Sequence, residues 1–131
     1  HLRLNVADLT RTRSFYEPML FWLGFHDMGA HVDANGKVER LRFSKGGFIL
    51  LFSQASHENN HDQARIGLHH LSFAVSSREE VDRFYHEVLV HLPAVRIENP
   101  PVECPEYRPG YYATFFYDPD EIKLEVTYTP Q

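Results

Sequence analysis

The two halves of this chain repeat one another, and this repeat limits the possible folds more than any other feature. The segment HLRLNVADLTRTRSFY (residues 1–16) and the segment HLSFAVSSREEVDRFY (residues 70–85) both begin His-Leu-x-apolar-x-Val and both end in Phe-Tyr. The offset between them is 69 residues, about half of the 131-residue chain. Such self-similarity indicates two copies of one supersecondary unit. Two copies are too few for a solenoid, so we expect them to pair into one cupped sheet.

The first copy predicts the order βαβββ. Alternating apolar residues over 1–6 indicate a strand, and Asp8 is a suitable N-cap for a helix over 9–22. Pro18 should kink or break that helix, and Gly24 should end it. Three strands are expected to follow, over 25–33, 37–44 and the segment GGFILLF, with Asn35-Gly36 as a hairpin turn between the first two.

The second copy predicts the same order. A strand over 68–76 precedes Ser77-x-x-Glu80, which is a capping box for a helix that runs to about His91. Three further strands are expected over 94–98, 111–117 and 121–128, with a proline-rich loop over 99–110. The chain is therefore predicted to be one α+β domain (1–131), with module one at 1–54, a polar linker at 55–67 and module two at 68–131.

Composition excludes several classes of function. The net charge is −5 and no basic stripe is present, which argues against a nucleic-acid partner. No apolar run approaches the length of a membrane span, so a membrane location is not expected. The lone Cys104 cannot form an internal disulfide, which favours the reducing cytoplasm.

Side chains alternate across a strand, so each predicted strand has two faces. In the opening strands His1 and His70 oppose the apolar face, and in the last strand Glu125 opposes Leu124 and Val126. If the sheet curls, these polar residues converge on its concave side. By the same alternation, His69 is expected on the apolar side as a packed or hydrogen-bonded core residue.

His1, His70 and Glu125 together predict a metal site. Two imidazoles and one carboxylate are the ligand set of non-haem Fe(II), and they also suit zinc and Mn(II). The alternative for Glu125 is an ordinary strand residue facing water, and the histidines have equally ordinary alternatives. The shared facing and the repeat favour the metal site.

The chain resembles the vicinal oxygen chelate superfamily, which includes glyoxalase I, extradiol dioxygenases, fosfomycin-modifying transferases and bleomycin-resistance proteins. The resemblance lies in three stretches: HLRLNVADLTRTRSFYEPMLFWLGF, GLHHLSFAVSSREEVDRFYHEVL and YYATFFYDPDEIKLEVTY. It implies paired βαβββ modules forming an incomplete barrel around one divalent metal ion (Fe, Mn, Zn, Ni or Co), often in a homodimer. The ligand positions of the superfamily fall on His1, His70 and Glu125.

Some members of the superfamily carry a fourth metal ligand on the last strand of the first module. In this chain the corresponding position is expected at about Phe52, which cannot bind a metal, and Gln54 is a weak substitute. In the four-ligand pattern of glyoxalase I, an extra glutamate stands at that point. The departure argues against glyoxalase I activity.

Two classes of function remain open from the sequence. One is a metal-dependent enzyme (dioxygenase, lyase, isomerase or thiol transferase) acting on a small molecule that chelates the metal through vicinal oxygens. The other is a metal-independent drug- or metabolite-binding protein that resembles the bleomycin-resistance members. In either case Arg108, Tyr111 and Tyr112, which crowd the approach to strand 111–117, are candidates for substrate binding.

Overall fold

The computed structural model describes residues 1–57 and 59–131. These residues divide into two compact units, His1–Asn59 and Asn60–Gln131. The division falls inside the predicted linker, of which Glu58 lies outside the described residues. The assignment of 1–131 to a single domain stays a prediction. No helix in the described part of the chain combines the length and the apolar character that a membrane crossing requires.

The first unit contains a helix and a mixed sheet. Its elements are β1 (Leu2–Val6), α1 (Leu9–Trp22), β2 (His26–Asp27), β3 (His31–Val32), β4 (Val38–Lys45) and β5 (Phe48–Gln54). The strand order is β1-β5-β4-β2, and β3 also pairs with β4. The first strand is parallel to β5, whereas β2, β3 and β5 are antiparallel to β4.

Helix α1 begins and ends as predicted but runs through Pro18. The Asp8 side chain accepts a hydrogen bond from the Arg11 N–H, and Gly24 follows the helix with a φ of 85°. The expected break at Pro18 is wrong, since the helix continues to Trp22. An interior proline costs about 3 kcal/mol. Burial of the apolar side of the helix offsets this cost, and its large buried side chains are Leu9, Phe15, Tyr16, Met19 and Leu20.

The predicted strand over 25–33 is interrupted. A turn separates β2 from β3, in which Asp27 accepts a hydrogen bond from the backbone N–H of Gly29, whose φ is 81°. The hairpin turn expected at Asn35-Gly36 is confirmed: Gly36 has a φ of 79° and donates its N–H to the Asp33 carbonyl.

The second unit repeats this design. Its elements are β6 (Leu71–Ala74), α2 (Arg78–Glu87), a short 3-10 helix (Leu89–His91), β7 (Arg96–Glu103), β8 (Tyr112–Tyr117) and β9 (Lys123–Tyr128). The strand order is β6-β9-β8-β7, with β6 parallel to β9. As predicted, the Ser77 side chain caps α2 by accepting a hydrogen bond from the Glu80 N–H.

Strand β7 is longer than the sequence predicted. Residues 99–103 were expected in a loop, but the strand extends to Glu103 through two prolines. Its pairing with β8 shifts register twice, between Ile97 and Asn99 and between Asn99 and Val102. Proline is tolerated in a strand at a sheet edge or at a bulge, and β7 provides both.

In each unit the helix covers one face of the sheet. The rings of Tyr16 in α1 and Phe52 in β5 lie 4.4 Å apart, and those of Phe84 in α2 and Phe116 in β8 lie 5.9 Å apart. Each sheet therefore has a helix-covered face and an opposite face, here called its open face. The predicted α+β class and the doubled βαβββ order are confirmed.

Candidate functional site

The open face of the second sheet carries a buried carboxylate. Strand register places Ser72, Glu125 and Phe115 side by side across β6, β9 and β8. Glu125 is only 1% exposed. The sequence allowed Glu125 to be either a metal ligand or an ordinary strand residue that faces water. Its burial excludes exposure to water. A buried carboxylate must be compensated by polar partners.

Glu125 has one such partner at each oxygen. The Tyr111 hydroxyl donates a hydrogen bond to Oε1. His70 Nε2 lies 3.3 Å from Oε2. The two oxygens therefore have different roles, since one is held by a phenol and the other faces an imidazole nitrogen.

A second histidine orients His70. His69 Nδ1 and His70 Nδ1 lie 2.8 Å apart, within hydrogen-bond distance. When His69 supplies the proton of this bond, Nε2 of the neutral His70 ring carries a hydrogen and can donate it to Glu125. When His70 Nδ1 supplies the proton, Nε2 carries a lone pair instead, which is the form that binds a metal ion. The expectation that His69 is a core residue is wrong, because its side chain is exposed and is held by His70 rather than by apolar packing.

The pair formed by His70 and Glu125 fits a divalent metal. An imidazole nitrogen and a carboxylate oxygen, each oriented by a hydrogen-bonding neighbour, are suitable ligands for first-row ions. Within residues 1–57 and 59–131, no three His, Cys, Asp or Glu side chains form a group that could hold a metal ion. His1 belongs to the first unit, where it immediately precedes β1 as His70 precedes β6. Its part in a metal site stays a prediction.

The strand register corrects the expected position of the fourth ligand. Arg3 corresponds to Ser72 in the repeat, and Arg3 pairs with Leu51 in the way that Ser72 pairs with Glu125. The counterpart of Glu125 is therefore Leu51 and not Phe52. Leucine cannot bind a metal either, so this strand still offers no fourth ligand at that point.

Phe52 and Gln54 alternate with Leu51 and Ser53 along β5, and both have contacts elsewhere. Phe52 is fully buried against the ring of Tyr16, on the side that α1 covers. The Gln54 side chain donates its amide N–H to the carbonyl oxygen of Ala7. Phe52 is therefore unavailable to an open-face site, whereas Gln54 lines a cavity together with Arg3, Arg40 and Ser53.

The structure separates the three residues predicted to bind substrate. Tyr111 contacts Glu125, and burial, followed by its bond to that carboxylate, raises its pKa to about 12. Tyr112 points toward α2, where its hydroxyl donates to Asp82 Oδ1 at 2.8 Å. Arg108 is exposed in the loop after β7. Only Tyr111 is brought to the carboxylate.

Sequence reasoning missed a cavity of about 220 Å³ on the same open face. Its lining includes Glu98, Glu103, Glu106, Tyr107, Phe115 and Lys123. Lys123 Nζ lies 2.6 Å from Glu98 Oε2, and this bond lowers the pKa of Glu98. Burial opposes the charge of Lys123, but Glu98 outweighs it and raises the pKa of that ammonium group. Alternation with Glu125 could have placed Lys123 here, and Glu98 lies in the predicted strand over 94–98. Glu103, in contrast, depends on the unpredicted length of β7.

The lone cysteine also lines this cavity. Cys104 is buried, and its pKa is raised by burial first and then by the charges of Glu106 and Glu125. A raised pKa keeps the thiol protonated at neutral pH, and the thiol is a far weaker nucleophile than the thiolate. Cys104 is therefore suited to packing rather than to covalent catalysis.

A family model described as "Glyoxalase/Bleomycin resistance protein/Dioxygenase superfamily" matches residues 1–126. The chain belongs to this superfamily. Among relatives of this glyoxalase-superfamily protein is "Uncharacterized protein YqjT" of Bacillus subtilis (strain 168), which is 28% identical over 130 residues, covering 96% of this chain and 94% of the relative.

Solved structures with the same fold extend over nearly the whole chain. A glyoxalase family protein from Enterococcus faecalis has a TM-score of 0.68 at 25% identity, covering 97% of this chain and 94% of that one. A glyoxalase/bleomycin resistance protein from Albidiferax ferrireducens T118 has a TM-score of 0.75 at 20% identity, with 98% and 97% covered. The fosfomycin resistance protein FosX from Listeria monocytogenes has a TM-score of 0.68 at 18% identity, with 99% and 91% covered. At these identities the last two likenesses concern the fold alone.

Proposed function

We propose that this glyoxalase-superfamily protein is a metal-dependent enzyme that acts on a small molecule carrying two adjacent oxygens. The observation that carries the proposal is the buried carboxylate of Glu125, with one oxygen bonded to Tyr111 and the other facing His70. Burial of a carboxylate costs desolvation free energy, and its two polar partners offset part of this cost. Perturbed or buried ionisable groups of this kind are typical of functional sites.

His1 is the third ligand in this proposal. The support is the repeat, because His1 and His70 occupy the same position at the head of β1 and β6. Two histidines and one carboxylate leave coordination positions open on Fe, Mn, Zn, Ni or Co. A divalent ion held this way supplies Lewis-acid chemistry to two neighbouring substrate oxygens.

The remaining residues hold the ligands and admit the substrate. Tyr111 keeps its proton at neutral pH and fixes the carboxylate of Glu125 by donating to it. His69 fixes the ring of His70. The small side chains of Ser72 and Ala74 on β6 leave room beside the carboxylate for a chelating molecule. A dioxygenase, a lyase or isomerase, and a thiol transferase all fit this arrangement.

Two further properties belong to the proposal. The superfamily resemblance supports a homodimer, which sedimentation of the purified protein tests directly, since a strict monomer would exclude it. The second property is a cytoplasmic location. It is supported by the single, buried Cys104, because thiols stay reduced in that compartment.

The decisive experiment is binding of a catechol to protein loaded with Fe(II) or Mn(II). We expect an absorption change that requires the metal and is lost in Glu125→Ala. Glu121→Ala is the matched control, because Glu121 lies on the same segment but pairs with Arg96. An absorption change that persists in Glu125→Ala would contradict the proposal.

The cavity of about 220 Å³ favours a second candidate, a metal-independent binding protein like the bleomycin-resistance members. It provides aromatic walls from Phe115 and Tyr107 and an internal ion pair between Lys123 and Glu98, none of which needs a metal. The catechol-binding experiment, repeated with metal-free protein, distinguishes the two functions. Ligand affinity that is equal with and without metal would favour the binding protein.

A further inference from the structure

The open face of the first sheet carries a second polar site, in a different unit from Glu125. Register places Arg40 of β4 directly opposite Ser53 of β5, and Ser53 is also the partner of Asn5 in β1. Arg40, Ser53, Arg3 and Lys37 line a cavity of about 300 Å³. The cavity therefore combines three cationic side chains with a hydroxyl group, and the carboxylates of Asp33 and Glu39 and the amide of Gln54 also line it.

Two polar atoms in the wall of this cavity are buried without a hydrogen-bond partner among the described residues. They are Arg40 Nε and Ser53 Oγ. Ser53 is only 5% exposed. Folded proteins pair nearly all buried polar groups, so an unpaired donor in the wall of a cavity requires an acceptor, which either water or the oxygen of a ligand in the cavity can supply.

The two carboxylates that line the cavity have partners of their own. Asp33 Oδ1 accepts backbone N–H bonds from Asn35 and Lys37, at 2.8 and 3.0 Å. Glu39 Oε2 lies 3.5 Å from His31 Nε2. Neither carboxylate is hydrogen-bonded to Arg40 Nε, which leaves that guanidinium nitrogen without an acceptor among the described residues, on a residue that lines the cavity.

We propose that this cavity binds the carboxylate or phosphate group of a small anionic molecule. Arg40 and Ser53 donate hydrogen bonds to the oxyanion, and Arg3 and Lys37 add positive charge around it. Guanidinium N–H groups match the geometry of both oxyanions, and charge-assisted bonds of this kind are the strong ones. None of the proposed metal ligands His1, His70 and Glu125 lines this cavity, so anion binding there does not require a metal ion.

The test is an NMR titration of the ¹⁵N-labelled protein at constant ionic strength, once with inorganic phosphate and once with acetate. We expect saturable shifts of the Arg40 and Ser53 amide signals with at least one anion, and the tighter anion identifies the group recognised. The Phe48 amide, at the far end of β5, should not move. The proposal would be overturned if neither anion caused saturable shifts at concentrations up to about 50 mM. A dissociation constant at that limit corresponds to a binding free energy of only about 2 kcal/mol.

Variants locate the site. Arg40→Gln should weaken binding by about tenfold or more, which corresponds to one charge-assisted hydrogen bond. Ser53→Ala should also weaken it and serves if Arg40→Gln does not fold. Arg11→Gln makes the same charge change at an exposed position of α1 and should leave the affinity unchanged. Equal weakening by Arg11→Gln would mean that the anion responds only to net charge, and the proposal would fail.

One control separates this inference from the proposed enzyme. Glu125→Gln removes a ligand of the proposed metal site, and Glu125 is not among the residues that line this cavity. Anion binding should therefore survive in Glu125→Gln. Anion binding lost in Glu125→Gln would show that the anion had been bound at the metal and would overturn the inference.

Discussion

Tyr111 donates its phenolic proton to Glu125, a carboxylate that is buried on the open face of the second sheet. The two residues are 14 positions apart, and the pairing of β8 with β9 brings them together. The bond leaves the other carboxylate oxygen facing His70. The carboxylate is thus oriented by the protein before any ligand arrives.

Removal of this bond should be costly. Tyr111→Phe leaves one oxygen of a buried carboxylate without its donor, so we expect the free energy of unfolding to fall by about 1–3 kcal/mol. Urea unfolding of metal-free protein measures the change. Tyr107→Phe, at an exposed tyrosine of the neighbouring loop, should stay within about 0.5 kcal/mol of the parent. Equal effects of the two substitutions would contradict the role given to Tyr111.

Metal content should depend on Glu125. After purification in the presence of metal, we expect about one divalent ion per chain in the parent and less than about a tenth of that in Glu125→Gln, because a neutral amide is a poor ligand for these ions. Elemental analysis by mass spectrometry gives the ratio. Glu121→Gln should retain the parental content, and identical content in all three proteins would exclude a metal site at Glu125.

The two adjacent histidines should behave differently. His70→Ala removes a proposed ligand and should abolish metal binding, as should His1→Ala. His69→Ala removes only the residue that orients the ring, so we expect about 10- to 100-fold weaker affinity. Competition against a chelator of known affinity measures these values. Loss of binding in His69→Ala to the same extent as in His70→Ala would mean that the roles are assigned wrongly.

Alkaline pH should destabilise the second unit through Tyr112. Burial, followed by the bond to Asp82, raises the pKa of Tyr112 to about 12 from its usual value near 10. Because the pKa is higher in the folded than in the unfolded state, the contribution of Tyr112 to the free energy of unfolding is complete below pH 10. This contribution is lost as the pH rises through 12. Tyr112→Phe should flatten the decline of unfolding free energy between about pH 10 and 12. An unchanged slope would show that this tyrosine does not cause the decline.

Replacement of Pro18 should stabilise the protein. It lies inside α1 on the exposed side, where it supplies no backbone N–H to the helix. We expect Pro18→Ala to raise the free energy of unfolding by about 1–3 kcal/mol, since proline is about 3 kcal/mol less favourable than alanine in a helix interior. Thermal unfolding followed by circular dichroism measures this, with Ser14→Ala as a control on the same helix. A lower melting temperature in Pro18→Ala would show that the proline is required by its surroundings.

Much of the fold followed from the sequence because its signals are local. Asp8, Ser77 and Gly24 act within one helical turn, and the alternation in Leu124, Glu125 and Val126 assigns side chains to faces without knowledge of any partner. The repeat then predicted two βαβββ units, and both are present. It also predicted that His1, His70 and Glu125 bind a metal ion. His70 Nε2 lies 3.3 Å from Glu125 Oε2, and the metal site itself stays a prediction.

Features that depend on distant residues were not predictable in this way. The strand β7 passes through prolines because it can pair with β8 from the sheet edge, and Pro18 stays helical because apolar side chains around it are buried. The register of β1 with β5, which makes Leu51 the counterpart of Glu125, is a property of two strands that the chain separates by more than forty residues.

The sequence by itself determined the two repeated units, the α+β class, the facing of the strands and the chemical types of the candidate ligands, because periodicity and caps are properties of neighbouring residues. Only the tertiary structure decided that Glu125 is buried, that Tyr111 and not Tyr112 bonds to it, and that Ser53 and Arg40 share a cavity. Burial and hydrogen-bond partners depend on which distant strands pair and in what register. Local patterns carry no information on that choice, since each strand alone is compatible with several partners.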